Sequence, residues 1–245
     1  LQNAPPPNTL LLSIMHANNE VGTIEPVRDL ADLTHEAGAL FHTDAAQSLG
    51  KIPVNVSDLN ADLLSVAGHK LYAPKGVGAL YIRQGIWLEK VTFGAGQEGG
   101  LRPGTENVLE IVGLGAAAQA AHQDLETNMA HFASMRDRLQ EALTSALGAE
   151  SVRINGHPHQ RLPNTLSISF KGQRANVLLE KISADVAASA GAACHADQVR
   201  ISSVLAAMGT PIEWAQGTLR LSVGRMTLPQ QIDRAVQAIT RAVRE

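Results

Sequence analysis

The sequence predicts an α/β fold, with a mostly parallel sheet layer followed by a smaller C-terminal α/β domain. Three observations carry that reading. Apolar runs at residues 10–15, 39–43 and 61–66 have the length and composition of strands. Between the first two, Val27, Leu30, Leu33 and Ala37 recur at helical spacing, and Gly38 stands as the helix stop. Strands that alternate with helices pack most simply as a parallel layer.

The elements follow in order. Residues 10–15 form a strand, 16–23 a polar loop and 26–37 a helix. Two strands, 39–43 and 61–66, then lead to Asp44 and Lys70, and residues 78–82 form a further strand. Gly94, Gly96, Gly99, Gly100 and Gly104 crowd a flexible loop at 93–104. A long Ala-, Leu- and Glu-rich helix spans 106–147, weakened at Gly113 and Gly115 and expected to bend. A domain boundary inside it gives a large domain, 1–128, and a small domain, 129–245. In the small domain, strands are expected at 152–154, 165–170, 185–189 and 218–223, and helices at 175–182, 202–208 and 229–244.

Composition narrows the partners. Of 245 residues, 44% are hydrophobic and 18% charged, enough apolar content for a real core. The net charge of −3 comes without any basic block, and aromatic content is 3%, which argues against nucleic acid. No apolar run has membrane-spanning length, so no membrane partner is expected. The single cysteine, Cys194, rules out an intramolecular disulfide and fits a reducing, cytoplasmic location. The first seven residues hold three prolines and no initiator methionine, so the chain reads as cut from something longer.

Asp44 and Lys70 are the chemically informative pair. Each directly follows an apolar strand, and strand ends line the ligand crevice of open α/β sheets. An amine for a Schiff base and a carboxylate for a pyridinium nitrogen are what pyridoxal phosphate (PLP) requires. Solvated turn residues, or a helix cap at Asp44, would look the same. Gln47 lies three residues on and can face the same ring; His69, beside Lys70, can donate to a phosphate. Asn18 and Asn19 follow the first strand, where they either contact a ligand or shape a turn. Cys194 sits among small residues beside His195, a setting that suits a nucleophile as well as a structural thiol. Arg220, alternating with Leu219 and Leu221, points to one sheet face and can hold a carboxylate, or a surface ion pair.

Six motifs occur in one order: Asn18-Asn19-Glu20, Asp44-Ala45-Ala46-Gln47-Ser48, Gly68-His69-Lys70-Leu71-Tyr72, Arg102-Pro103-Gly104-Thr105, Gly191-Ala192-Ala193-Cys194-His195 and Leu219-Arg220-Leu221-Ser222. With them the chain resembles the class V aminotransferase-like PLP enzymes, in particular cysteine desulfurases and selenocysteine lyases. The resemblance implies a PLP-dependent transferase-like fold of type I. It gives Lys70 the Schiff base, Asp44 the pyridinium nitrogen, Gln47 the phenolic oxygen, and Asn19 and His69 further cofactor contacts. Thr105 would reach the phosphate of the partner subunit in a homodimer, and Arg220 the substrate carboxylate. Cys194 would take sulfur or selenium from L-cysteine or L-selenocysteine, leaving L-alanine, and pass it to an acceptor protein, as in iron–sulfur cluster assembly. No metal site is implied. Ala67 stands where many desulfurases carry a phosphate-binding serine; the Cys194 and Arg102 motifs are more lyase-like, whereas the short spacing from Cys194 to Val204-Leu205 is desulfurase-like. Family members carry well over a hundred further residues before residue 10, which include a phosphate-binding turn and the group that stacks on the ring. The expectation is therefore a chain that alone holds PLP weakly and turns over poorly or not at all. Alternatives are a selenocysteine lyase proper, a related aminotransferase or decarboxylase in which Cys194 is incidental, and a docking or dimerisation module.

Overall fold

The computed structural model describes residues 6, 8–190, 194–195, 198–199 and 201–245. The chain folds as two units, one running up to Ala17 with Glu25–Leu125, the other Asn18–Ile24 with Glu126–Glu245.

In the first unit the apolar runs become strands as expected. β1 (Leu11–Met15), β2 (Leu40–Asp44), β3 (Leu63–Ala67) and β4 (Gly78–Ile82) form one sheet in that order. The pairs β1–β2 and β2–β3 are parallel and β3–β4 is antiparallel, so the layer is mixed but mostly parallel. Helix α1 (Val27–Glu36) connects β1 to β2 and packs Val27, Leu30 and Ala31 on Phe41 and Ala61. Asp62 fixes this layer from within. Its buried carboxylate takes the Phe41 amide at 2.8 Å, His35 Nε2 at 2.7 Å and Arg83 at 3.1 Å. A buried carboxylate is tolerated because each oxygen is occupied.

The expected helix 106–147 is two helices, α2 (Val108–Gln123) and α3 (Leu125–Leu147). The break falls at Asp124, not at the glycines. Gly113 serves packing instead: a Cβ there would lie 2.9 Å from Pro74 Cδ, so the helix passes Pro74 only because the side chain is absent.

The second unit holds α3 against an antiparallel sheet in the order β5 (Val152–Ile154), β6 (Thr165–Phe170), β10 (Thr218–Ser222) and β7 (Ser189–Ala190). α4 (Ala175–Ile182) follows β6, and α7 (Pro229–Arg244) closes the chain. Leu143 of α3, Ile168 and Phe170 of β6, Leu178 of α4, Leu219 of β10 and Ile239 of α7 meet in its core, each 0% or 1% exposed. Between β7 and β10 lie a short hairpin, β8 (Cys194–His195) with β9 (Gln198–Val199), and two short helices, α5 (Ser203–Ala207) and α6 (Ile212–Ala215). Ser202 caps α5 by accepting from the Val204 and Leu205 amides.

The strand expected at 185–189 shrinks to β7. The amides of Asp185 and Val186 both donate to the Ile182 carbonyl, so the last turn of α4 uses the donors a strand would need.

Candidate functional site

The first unit brings the two strand-end residues into one framework. Asp44 closes β2, exposed, in register with Met15 of β1 and Ser65 of β3. The His16 amide donates to the Asp44 carbonyl at 2.9 Å, and the Ala45 amide to the Ser65 carbonyl at 3.0 Å. The ends of three parallel strands are thereby tied together around the Asp44 carboxylate. One of its oxygens, Oδ1, accepts from the Ala46 amide at 2.8 Å, which closes an Asx-type turn in place of the helix cap expected for an aspartate here, since no helix follows β2 directly. The chain then runs through turns, and Gln47 is half-buried within them.

Lys70 sits in a single 3₁₀ turn, Gly68–Leu71, directly after β3. The turn exists because Gly68 approaches its own chain: a Cβ there would meet the Val77 carbonyl at 2.8 Å. The Gly68 amide donates to that carbonyl, and the Ala73 amide donates back to Gly68. Leu71 is buried below the turn, while His69 is exposed and Lys70 half-buried above it. Thr105 is exposed, just after the glycine-rich loop.

Two further residues of this unit escaped the sequence reading. His16 follows β1 and is 4% exposed, and its buried Nδ1 has no hydrogen-bond partner among the described residues. Burial pushes its pKa below the ordinary histidine value, which favours a neutral ring. Its position at a strand end, like that of Asp44, was the available signal. Lys51 donates from Nζ to the Lys70 carbonyl at 3.0 Å. Nothing local marks Lys51, because the contact depends on the fold.

Behind Asp44 on the same sheet face, His42 bridges three strands. Its Nδ1 lies 2.7 Å from Ser13 Oγ and its Nε2 2.8 Å from Ser65 Oγ. Burial lowers the His42 pKa, and the Asp44 charge opposes that shift.

These residues fit PLP. A strand-end carboxylate and a strand-end amine are complementary to an aromatic cation with a reactive aldehyde. Among the described residues no cluster of His, Cys, Asp and Glu has metal-binding geometry.

In the second unit Arg220 occupies the middle of β10. Its guanidinium donates to the Asn19 carbonyl at 2.8 Å and to Ser189 Oγ at 3.3 Å. Two residues singled out separately in the sequence are thus joined, although through the Asn19 backbone. The Asn19 loop is itself held by Asn18, whose Oδ1 accepts from the Glu20 and Val21 amides. Cys194 pairs with Val199 across the β8–β9 hairpin; its side chain, and residues 191–193, lie outside the described residues.

The class-V aminotransferase family model matches residues 2–235. A cysteine desulfurase IscS of Methanosarcina thermophila is 42% identical over 246 residues, covering 100% of this chain and 60% of its own length. The chain thus spans about three fifths of such curated relatives. Among solved structures, the NifS-like protein from Rickettsia africae ESF-5 matches with a TM-score of 0.88 and 28% identity, over 97% of this chain and 62% of its own. A structure described as SspA in complex with cysteine matches with a TM-score of 0.69 and 35% identity, over 92% of this chain and 62% of its own.

Proposed function

Because the chain belongs to the class-V aminotransferase family, whose members depend on PLP, we propose that it carries the lysine-bearing part of a PLP-dependent cysteine desulfurase. The observation that supports this best is the placement of Asp44 and the Lys70 turn at the ends of adjacent strands β2 and β3. Relatives named cysteine desulfurase, and a relative solved with cysteine, favour L-cysteine over L-selenocysteine as substrate.

Bound PLP supplies an electron sink for bonds at the substrate α-carbon. The rest falls to this chain. Lys70 provides the amine that anchors the cofactor and, once released, moves protons at the substrate. Asp44 keeps the ring nitrogen protonated through a charge-assisted hydrogen bond. His16, buried and neutral, supports the Asp44 strand end through its backbone amide. Gln47 and His69 serve the phenolic oxygen and the phosphate. Arg220 takes the substrate carboxylate, with Asn19 held at its guanidinium. The Cys194 thiolate attacks the substrate sulfur; the carbon–sulfur bond breaks, a sulfur–sulfur bond forms, and the carbon keeps its electrons and gains a proton to become L-alanine.

We assign cofactor binding to residues 1–128 and the nucleophile to 129–245. Thr105, exposed beside a glycine-rich loop, would serve a partner subunit's cofactor in a homodimer, and the sulfur on Cys194 would pass to an acceptor protein. No helix among the described residues is long and apolar enough to cross a membrane; a cytoplasmic location is part of this reading.

Cys194→Ala is the test. PLP capture on Lys70 is expected to persist while alanine formation from L-cysteine falls on the order of a hundredfold or more, as for loss of a nucleophile. Undiminished alanine formation would make Cys194 incidental and point to another reaction of the family.

A further inference from the structure

Lys51 is a second amine at the turn that carries Lys70. Its Nζ donates to the Lys70 carbonyl at 3.0 Å from a half-buried position. Among the described residues it forms no ion pair, and Lys70 is the charged group that acts on it. A cation partly withdrawn from water without a counter-ion is costly and persists where it has a use.

The use is visible in the turn. A single 3₁₀ turn has weak internal hydrogen bonds, and its last carbonyls lack partners. A charged donor satisfies such a carbonyl about twice as strongly as a neutral one. We propose that Lys51 is a positioning residue for Lys70: it holds the carbonyl of Lys70, fixes the turn that aims the Lys70 amine, and keeps a second positive charge beside that amine. A neighbouring positive charge favours the neutral, nucleophilic form of an amine. The inference rests on Lys70 being the cofactor lysine for its purpose, but not for its physical effect. Burial and, after it, the charge of Lys70 lower the Lys51 pKa to about 8, so its charge can be switched under mild conditions.

The test needs no cofactor. The whole chain is labelled with formaldehyde and cyanoborohydride from about pH 6.5 to about pH 9.5, a range that brackets lysine titration shifted by burial. Modification of Lys70, relative to exposed Lys75, is read peptide by peptide by mass spectrometry. In the wild type the relative rate is expected to drop about fivefold across a break near pH 8, the size of a short-range like-charge interaction. Lys51→Met loses the break and stays at the lower rate throughout. Lys51→Arg, permanently charged, keeps the higher rate throughout.

Coincident profiles for the wild type and Lys51→Met overturn the proposal, as does an arginine variant that behaves like the methionine one. If circular dichroism shows that the methionine variant fails to fold, the wild-type break and the arginine variant decide. PLP capture by borohydride, run in parallel, separates the two ideas. A break at Lys70 without capture defeats the cofactor reading alone, and capture without a break defeats the positioning role alone.

Discussion

Lys70→Ala removes covalent PLP capture and lowers alanine formation from L-cysteine by about a thousandfold or more, the scale of losing the group that anchors the electron sink and moves the proton. The loss comes with an intact fold. Lys70 is half-buried on a turn held without its side chain, by the Gly68–Val77 and Ala73–Gly68 backbone hydrogen bonds, by buried Leu71 and by the Lys51 bond to the Lys70 backbone carbonyl. A truncated side chain there leaves no cavity in the core. Lys75→Ala, at an exposed position five residues on, is the control and leaves capture unchanged. Absorbance of the bound cofactor and alanine release are the two readouts. Equal loss in both variants would mean that the effect is one of general charge.

Phe170→Ala destabilises the second unit by about 3–5 kcal/mol, as for a buried aromatic cut to a methyl. Phe170 ends β6, is 0% exposed, and lies among Leu166, Ile168 and Leu219 in the core that also takes α4 and α7. Its backbone amide bonds the Gly217 carbonyl, so neighbouring strands cannot shift to fill the void without losing register. Urea unfolding followed by fluorescence of half-buried Trp214 reports on this unit. Leu109→Ala, in a residue 83% exposed on α2, should change stability by no more than about 0.5 kcal/mol. A small effect at Phe170 would mean that the core is looser than its burial indicates.

Much of the fold and part of the site could be read along the chain. β4 and α7 stand at the expected residues because turn signals bound the one and helical periodicity the other. Asp44 and Lys70 were legible as strand-end residues because each follows a short apolar, strand-like run. The failures share a cause. The passage of α2 over Pro74 at Gly113 and the shortening of β7 depend on a partner distant in sequence and on competition for backbone donors. Lys51 belongs to the same class, since the Lys70 carbonyl nineteen residues away gives it meaning. His16 differs. It stood at a strand end in plain view, and what set it apart was an orphaned, buried nitrogen that only the packing reveals.

Borohydride reduction of the whole chain equilibrated with PLP, followed by peptide mapping, decides whether Lys70 is the cofactor lysine. The predicted outcome is a pyridoxyl adduct on the peptide that contains Lys70, reduced when Asp44 is replaced by alanine. An adduct spread over exposed lysines such as Lys75 and Lys90, or absent altogether, would contradict it.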